Sequence, residues 1–492
     1  MRPPGWLDAA DRTAPWAELT VCVAGLGVSG FAVADTLLQL GARVVAVDAR
    51  PADRLGGRVK ELDIAGADVR LGADAGEVLP PQAQLVVTSP GWRPDAPLLA
   101  AAARTAVPVW GEVELAWRLR PLQDPAPWLV VTGTNGKTTT VRMLTAMLQA
   151  DGRRTVAAGN IGTPLVQVVT APERYDVLAV ELSSFQLHWA SSPRPFAAAV
   201  LNVAPDHIDW HGTLQAYAQD KGRAYEHCAV ACVYNAADPQ TLRLVRAADV
   251  QDGCRAIGFT LGIPTAGMVG MVEDLLVDRA FTAAAHGGYD SAEELASVAD
   301  LVPAAPHNLQ NALAAAALAR SFGVAPAAVR EGLRAFRPDP HRIATVAVVD
   351  DVTYIDDSKA TNPHAASASL AGYQHVVWVA GGLAKGATFD ELVIGARSRL
   401  RAAVLLGRDR AIIAAALARH APQVPVVQVA STDTEVMDEV VRAAARLATP
   451  GDTVLLAPAC ASMDLFGDYG ARGDAFAAAV RAIAGSQGEP GR

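Results

Sequence analysis

The stretch "VVTGTNGKTTTVRML", Val130 to Leu144, holds the residues best suited to chemistry. An apolar run ends in Thr132, the chain turns through Gly133, Thr134, Asn135 and Gly136, and Lys137, Thr138 and Thr139 open a helical pattern. The usual phosphate loop is G-x-x-x-x-G-K-[ST]; here only Thr134 and Asn135 separate the glycines. The parts a nucleoside triphosphate needs are nevertheless present. Backbone N–H groups cradle phosphates, a lysine offsets β/γ charge, and a hydroxyl reaches Mg²⁺. The competing reading is a plain turn with a surface lysine, and Gly-Lys-Thr-Thr in this register argues against it.

A second glycine set, Gly25, Gly27 and Gly30, follows a short apolar strand from Val21 to Ala24. A helical pattern runs to about Leu40, and "RVVAVD" ends at Asp48. G-x-G-x-x-G with an acid about 20 residues on is the dinucleotide pattern, in which glycines admit a diphosphate to a helix N-terminus. Asp48 is placed to accept hydrogen bonds from a ribose or a base. A tight turn without a ligand is the alternative. Further on, "AQLVVTSPGW" reads as a strand ending in a second loop at Ser89-Pro90-Gly91.

These stretches sit in three α/β blocks, at 1–115, 116–338 and 339–492. The second contains "YDVLAVELSSFQL", read as a buried strand with an acid at its end, and "PFAAAVLNVAPDHIDWHG", read as a strand ending in a His/Asp cluster. It closes with the Ala-rich helix "PHNLQNALAAAALARSFG", stopped by Gly323. The third alternates the strands "HVVWVAGG", "AAVLLG", "VPVVQVA" and "DTVLLAPA" with helices such as Arg410 to Arg419. Strands alternating with helices imply mostly parallel sheets, with ligand sites at the carboxyl ends of strands. The expected fold is α/β in three domains: Rossmann-like N-terminal, central P-loop mononucleotide-binding, and C-terminal Rossmann-like. Residues 249–305 carry no interpretable motif, and the tail "GSQGEPGR" is of low complexity.

Composition excludes several classes. A length of 492 residues, 51% hydrophobic and 19% charged, suits a globular chain of several domains. A net charge of −9 argues against a general nucleic-acid binder. No apolar run approaches a membrane span, and "MRPPGWLDAADRTAP" has no signal-peptide core, which points to the cytoplasm. Five cysteines form no disulfide framework. Cys228 and Cys232 have metal-like proximity, but "CAVAC" lies in an apolar run and reads as core.

With these motifs quoted, "TGTNGKTT" resembles the short P-loop of the Mur ligases and folylpolyglutamate synthases. "GNIGTP", "ELSSFQL", "NVAPDHIDWHG", "YAQDKGRAYEH", "PHNLQNALAAAALA", "PHRIA", "DDSKATNP", "GGLAKGATF" and "APACASMDLFGDYGARG" follow in the family's order over nearly the whole chain. "DSKATN" together with "PACAS" is similar to the D-glutamate-adding branch of the Mur ligases. The resemblance implies a monomeric enzyme. ATP phosphorylates the carboxylate of UDP-N-acetylmuramoyl-L-alanine, and the amine of D-glutamate attacks the acyl phosphate.

It also implies roles. Gly133 to Thr139 hold ATP, with Lys137 catalytic. Asn308 and Asn311 serve the adenine side, and Arg342, Asp357 and Lys359 the ribose and phosphates. Val28, Ser29, Gly30, Asp48, Arg50, Gly91 and Asn160 hold the UDP substrate. Thr138, Glu181, His207 and Lys221 serve two Mg²⁺ ions, with His207 and Lys221 also catalytic. Lys221 matches a lysine that CO₂ converts into a carbamate, an anion fit to ligate metal; an exposed helical lysine is the bland alternative. Thr361, Lys385, Ser462, Met463 and Tyr469 match the D-glutamate pocket. Gly382 and Gly386 are expected to let backbone come close beside Lys385. The chain departs from the family at Leu383-Ala384, where an acid or Gly is usual, and at Tyr469, where Phe is common.

Two other readings compete. One is a related ligase for another amino acid, an L-glutamate-adding muramoyl ligase or a folylpolyglutamate synthase. The other is a dinucleotide-dependent oxidoreductase, suggested by Gly25-x-Gly27-x-x-Gly30. A dehydrogenase has no use for Lys137-Thr138, and folate enzymes usually begin near the P-loop.

Overall fold

The computed structural model describes residues 3–282, 291–338, 340–431 and 435–486; the tail from Gln487 onward lies outside them. Among these residues the strands form three sheets. The first holds β1 (Thr20–Ala24), β2 (Arg43–Asp48), β3 (Asp68–Leu71), β4 (Leu85–Thr88) and β5 (Val109–Gly111), in the order β3-β2-β1-β4-β5. All its neighbours pair in parallel. Its central strands are runs of Val, Leu, Ala and Cys buried throughout, as a parallel sheet covered on both faces requires.

The second sheet holds β6 (Trp128–Thr132), β7 (Thr155–Gly159), β8 (Val177–Glu181), β9 (Ala197–Val200), β10 (Ala231–Asn235), β11 (Arg255–Phe259), β12 (Met268–Val272), β13 (Leu275–Asp278) and β14 (Glu293–Ser297). Its order is β14-β13-β12-β11-β10-β9-β6-β8-β7. From β12 onward the pairing turns antiparallel. This extension occupies the stretch in which no motif was legible. It is pinned by Arg320, which donates to Asp278 at 2.8 Å and Glu293 at 2.5 Å.

Helix Lys137–Ala150 packs on both helix Pro306–Ser321 and helix Pro326–Ala335. The last contact requires a glycine: a Cβ at Gly332 would stand 2.5 Å from Met147 Cα. Helix Pro306–Ser321 buries ten residues, six of them alanines, so it can lie deep in the central core.

The third sheet holds β15 (Ala344–Val349), β16 (Val352–Asp356), β17 (Val376–Gly381), β18 (Leu400–Leu406), β19 (Val426–Gln428) and β20 (Thr453–Leu456), ordered β15-β16-β20-β17-β18-β19. Only β15 runs antiparallel to its neighbour.

The chain forms two compact units: Met1–Val203 with Gln215–Phe336, and Ala204–Leu214 with Arg337–Arg492. Within the first, two buried glutamates tie the first sheet's elements to the second's. Glu112 accepts from Val166 N at 2.7 Å. Glu114 accepts from Ser191 N and Ser192 N at 2.8 Å each.

One expected strand is shorter than read. In "YDVLAVELSSFQL" the strand ends at Glu181, and Ser184–His188 is helical. Ser183 caps that helix by accepting from Gln186 N, while Gln186 accepts from Ser183 N, a reciprocal capping box that overrides the apolar run.

Candidate active site

In the first sheet the strand order reverses at β1, and the loops after β1 and β4 meet there. Ser89 Oγ donates to Gly25 O at 2.8 Å. Gly30 is obligatory: a Cβ there would lie 1.7 Å from Gly25 O. Asp48, buried at the end of β2, accepts from Leu26 N at 2.7 Å and from Arg50 N at 2.8 Å. Its two oxygens also take the Arg50 guanidinium, at 3.0 and 2.7 Å. Burial opposes the charge on Asp48, but the Arg50 guanidinium and the two backbone N–H groups outweigh it and hold the carboxyl below its ordinary range. Asp48 therefore shapes the glycine turn and aims Arg50, whose side chain is 50% exposed. Arg50, more than the acid, is the group presented outward. Val28 is exposed at the first turn of its helix.

The short P-loop follows β6. Gly136 is left-handed, with φ 85°, and caps helix Lys137–Ala150. A Cβ on it would lie 2.3 Å from Asn311 Oδ1, so the glycine admits the Asn311 carboxamide against the loop. Asn308 instead donates to Pro303 O at 3.1 Å. Asn202, which sequence reasoning passed over, braces the loop after β9. Its Oδ1 accepts from Asn135 N at 2.9 Å, its Nδ2 donates to Asn135 O at 3.2 Å, and its carbonyl accepts from Thr134 N at 3.0 Å.

Lys137 Nζ donates to Gly133 O and Thr134 O, both at 2.9 Å. Lys221 Nζ donates to the same Gly133 O at 2.8 Å and lies 4.4 Å from the Tyr217 ring centroid. The Tyr217 hydroxyl is 3.1 Å from Thr134 Oγ1. Lys221 is 1% exposed, which rejects the solvated helical lysine. Thr138 and Thr139 are buried at the start of the helix.

Glu181 ends β8, in register with Val131 of β6. Asn160 Nδ2 donates to its Oε1 at 2.8 Å. Its Oε2 is buried with no hydrogen-bond partner among the described residues. A buried carboxylate oxygen left without a donor is costly unless a cation meets it. The donor set fits a hard divalent ion. Asn160 orients this carboxylate, a task distinct from the substrate contact expected of it.

The second unit carries His207 and the positions from Arg342 onward. His207 adopts φ 54° at the start of the short helix Ile208–His211. Its Nε2 is 3.7 Å from Asp206 Oδ2, and that oxygen accepts from Asn362 Nδ2 at 3.3 Å. Three loops converge after β16, β20 and β17. Ala459 N donates to Ala360 O at 2.9 Å, joining the Asp357–Thr361 turn to the loop of Ser462. Gly382 abuts that loop too: a Cβ on it would lie 2.1 Å from Ala461 O. Gly386, by contrast, has open space around it, and its φ of 79° rather than close packing calls for glycine.

Lys385 and Met463 are exposed, and Ser462 is buried. Lys359 Nζ lies 3.8 Å from the Tyr469 ring centroid. Asp357 is buried against the Ser369 hydroxyl, and burial pushes its carboxyl up to about 6.

Arg472 went unread in "YGARGD", which looks like surface. It is 1% exposed. Its guanidinium donates to Ser358 Oγ at 2.9 Å, Ser358 O at 2.8 Å and Cys460 O at 3.1 Å, clamping two of the loops together.

Residues 19–111 match the Mur ligase MurD-like N-terminal domain, 131–319 the Mur ligase middle domain, and 341–460 the Mur ligase glutamate ligase domain. The chain belongs to the Mur ligase family. Within that family it is 63% identical over 465 residues to the UDP-N-acetylmuramoylalanine–D-glutamate ligase of Streptomyces coelicolor, covering 94% of this chain and 98% of the relative. In fold it resembles the UDP-N-acetylmuramate-alanine ligase MurC of Thermotoga maritima, with a TM-score of 0.54 at 19% identity over 95% of this chain and 99% of that one. It also resembles E. coli FolC in complex with ADP, with a TM-score of 0.51 at 18% identity over 75% of this chain and 92% of that one.

Proposed function

We propose that this protein is an ATP-dependent ligase that joins D-glutamate to UDP-N-acetylmuramoyl-L-alanine through an acyl phosphate, in the cytoplasm, during peptidoglycan precursor synthesis. The observation that carries the reading is its 63% identity to a D-glutamate ligase along nearly the full length of both chains. The geometry of the glycine turns supports it. The loop from Gly133 to Thr139 offers backbone N–H groups and Lys137 to a triphosphate, and Asn311 lies against the loop. Arg50, aimed by Asp48, serves the UDP diphosphate, with Val28, Ser29 and Gly30 at the helix N-terminus. The first domain then binds a nucleotide sugar rather than NAD.

Glu181, Lys221 and Thr138, with His207, would hold Mg²⁺. The ions supply charge neutralisation where a carboxylate must meet a triphosphate. A carbamate on Lys221 fits the buried position. Nζ keeps one N–H after modification, so the bond to Gly133 O can be kept while the added carboxylate supplies a negative charge. Asp357, Lys359 and Arg342 serve the ribose and phosphates. Thr361, Lys385, Ser462, Met463 and Tyr469 serve D-glutamate, with Lys385 pairing one carboxylate. The lysines position and offset charge on substrate oxygens, and much of the acceleration comes from that preorganisation.

The test is phosphate release with ATP and UDP-N-acetylmuramoyl-L-alanine, each candidate amino acid offered in turn. D-Glutamate alone should support turnover. Equal turnover with L-glutamate, or none without a folate acceptor, would refute the assignment.

A further inference from the structure

The stretch read as core from sequence holds a more specific arrangement. Cys228 lies in the turn before β10, Cys232 on β10, and Cys254 in the turn before β11. Their three Sγ atoms all lie within 4.8 Å of one another, and Cys232 Sγ is 3.8 Å from Cys254 Sγ. The chain has five cysteines in 492 residues, and three of them meet here from two segments, "CAVAC" and the turn at Cys254.

We propose that Cys228, Cys232 and Cys254 form a binding site for one thiophilic d¹⁰ cation, zinc above all. Zn–S bonds of about 2.3 Å at tetrahedral angles place neighbouring sulfurs about 3.8 Å apart. The Cys232–Cys254 separation already has that value, and the third sulfur needs only a small side-chain adjustment. The convergent group has three members among the described residues. A water or small anion then takes the fourth position, on the side of Cys254, the partly exposed member. That side is also the route of entry.

The site is remote from the phosphate loop. β6, β9, β10 and β11 run parallel, so the cysteines stand at the amino ends of strands whose carboxyl ends carry the nucleotide machinery. An ion here ties the starts of the parallel neighbours β10 and β11 together and so stabilises that part of the sheet.

Without metal a cysteine side chain ordinarily carries its thiol proton at neutral pH. Binding is then three S–H bonds exchanged for three metal–sulfur bonds, with three protons released to solvent and no change of oxidation state.

The test uses full-length reduced protein titrated with Cd²⁺, followed by ultraviolet thiolate-to-metal charge transfer and by proton release. Carboxylate sites for Mg²⁺ give no such band. One equivalent should saturate the band, and Zn²⁺ should compete it away. Cys232→Ala and Cys254→Ser should each weaken binding by more than the roughly 100-fold that loss of an outer-shell partner costs. Cys22→Ala should leave it unchanged. Absence of a band at excess Cd²⁺ in folded protein would overturn the proposal, as would a band that persists in the Cys232/Cys254 double variant. Formation of a Cys232–Cys254 disulfide under mild oxidant in protein that takes up no metal would overturn it in favour of a redox pair.

Discussion

Lys221 and Lys137 share one acceptor, Gly133 O, although only one of them is needed to steady a loop. Two buried or half-buried cations so close repel each other, and turning Lys221 into an anion removes the conflict. Lys221→Ala should then cost on the order of 100- to 1,000-fold in turnover, the range for one preorganised charged group. Acetate or formate should partly restore activity where chloride does not; rescue by Lys221→Arg instead would mean that the lysine acts as a cation. Asn160 offers a separate check. Asn160→Ala frees the Glu181 carboxylate and should raise the Mg²⁺ concentration for half-maximal activity by about 10- to 100-fold, the effect of losing an outer-shell partner. An unchanged Mg²⁺ requirement with a raised KM for the UDP substrate would return Asn160 to a direct substrate role.

Among the elements, the turns are more tightly specified than the helices they feed. Gly30 sits 1.7 Å, in Cβ terms, from a backbone carbonyl that cannot retreat without breaking β1. Gly30→Ala should destabilise the fold by several kcal/mol, the scale of overpacking against fixed backbone, read as a lower denaturation midpoint. A normal midpoint would mean the helix can shift freely. Arg472 performs the equivalent task in the second unit, where one guanidinium holds two loops. Arg472→Lys keeps the charge but loses the planar fork. The amino-acid KM should rise by at least about tenfold while the KM for UDP substrate stays level; a uniform loss of activity would mark the arginine as merely structural.

For the whole molecule, pH is the global lever. Burial pushes Glu112, between the first two sheets' elements, up to about 7 against a partial offset from the Val166 and Leu165 backbone N–H groups. The folded form thus holds a proton that the unfolded chain releases at an ordinary carboxylate pKa. This contribution to stability is fully present below the unfolded pKa and is lost as pH rises through about 7. Glu112→Gln should flatten the fall in Tm between about pH 5 and about pH 8; an unchanged slope would place the effect elsewhere. Much of this architecture was legible. Buried Val/Ala/Leu runs gave the strands, and glycines with Lys137 gave the nucleotide loop, because those features are local. Lys221's burial was hidden by its polar neighbours, Arg472's by "GARGD", and Asn202's brace by distance in sequence, since each depends on what the fold brings near. The helix after Glu181 was hidden because a capping box inside an apolar run looks like more strand. The reaction itself is most directly tested with UDP-N-acetylmuramoyl-L-alanine labelled with ¹⁸O in its carboxylate, incubated with ATP and D-glutamate. An acyl-phosphate ligase should release ADP and inorganic phosphate carrying one ¹⁸O, beside the D-glutamyl amide. Label appearing in AMP, or phosphate released without label, would contradict the account.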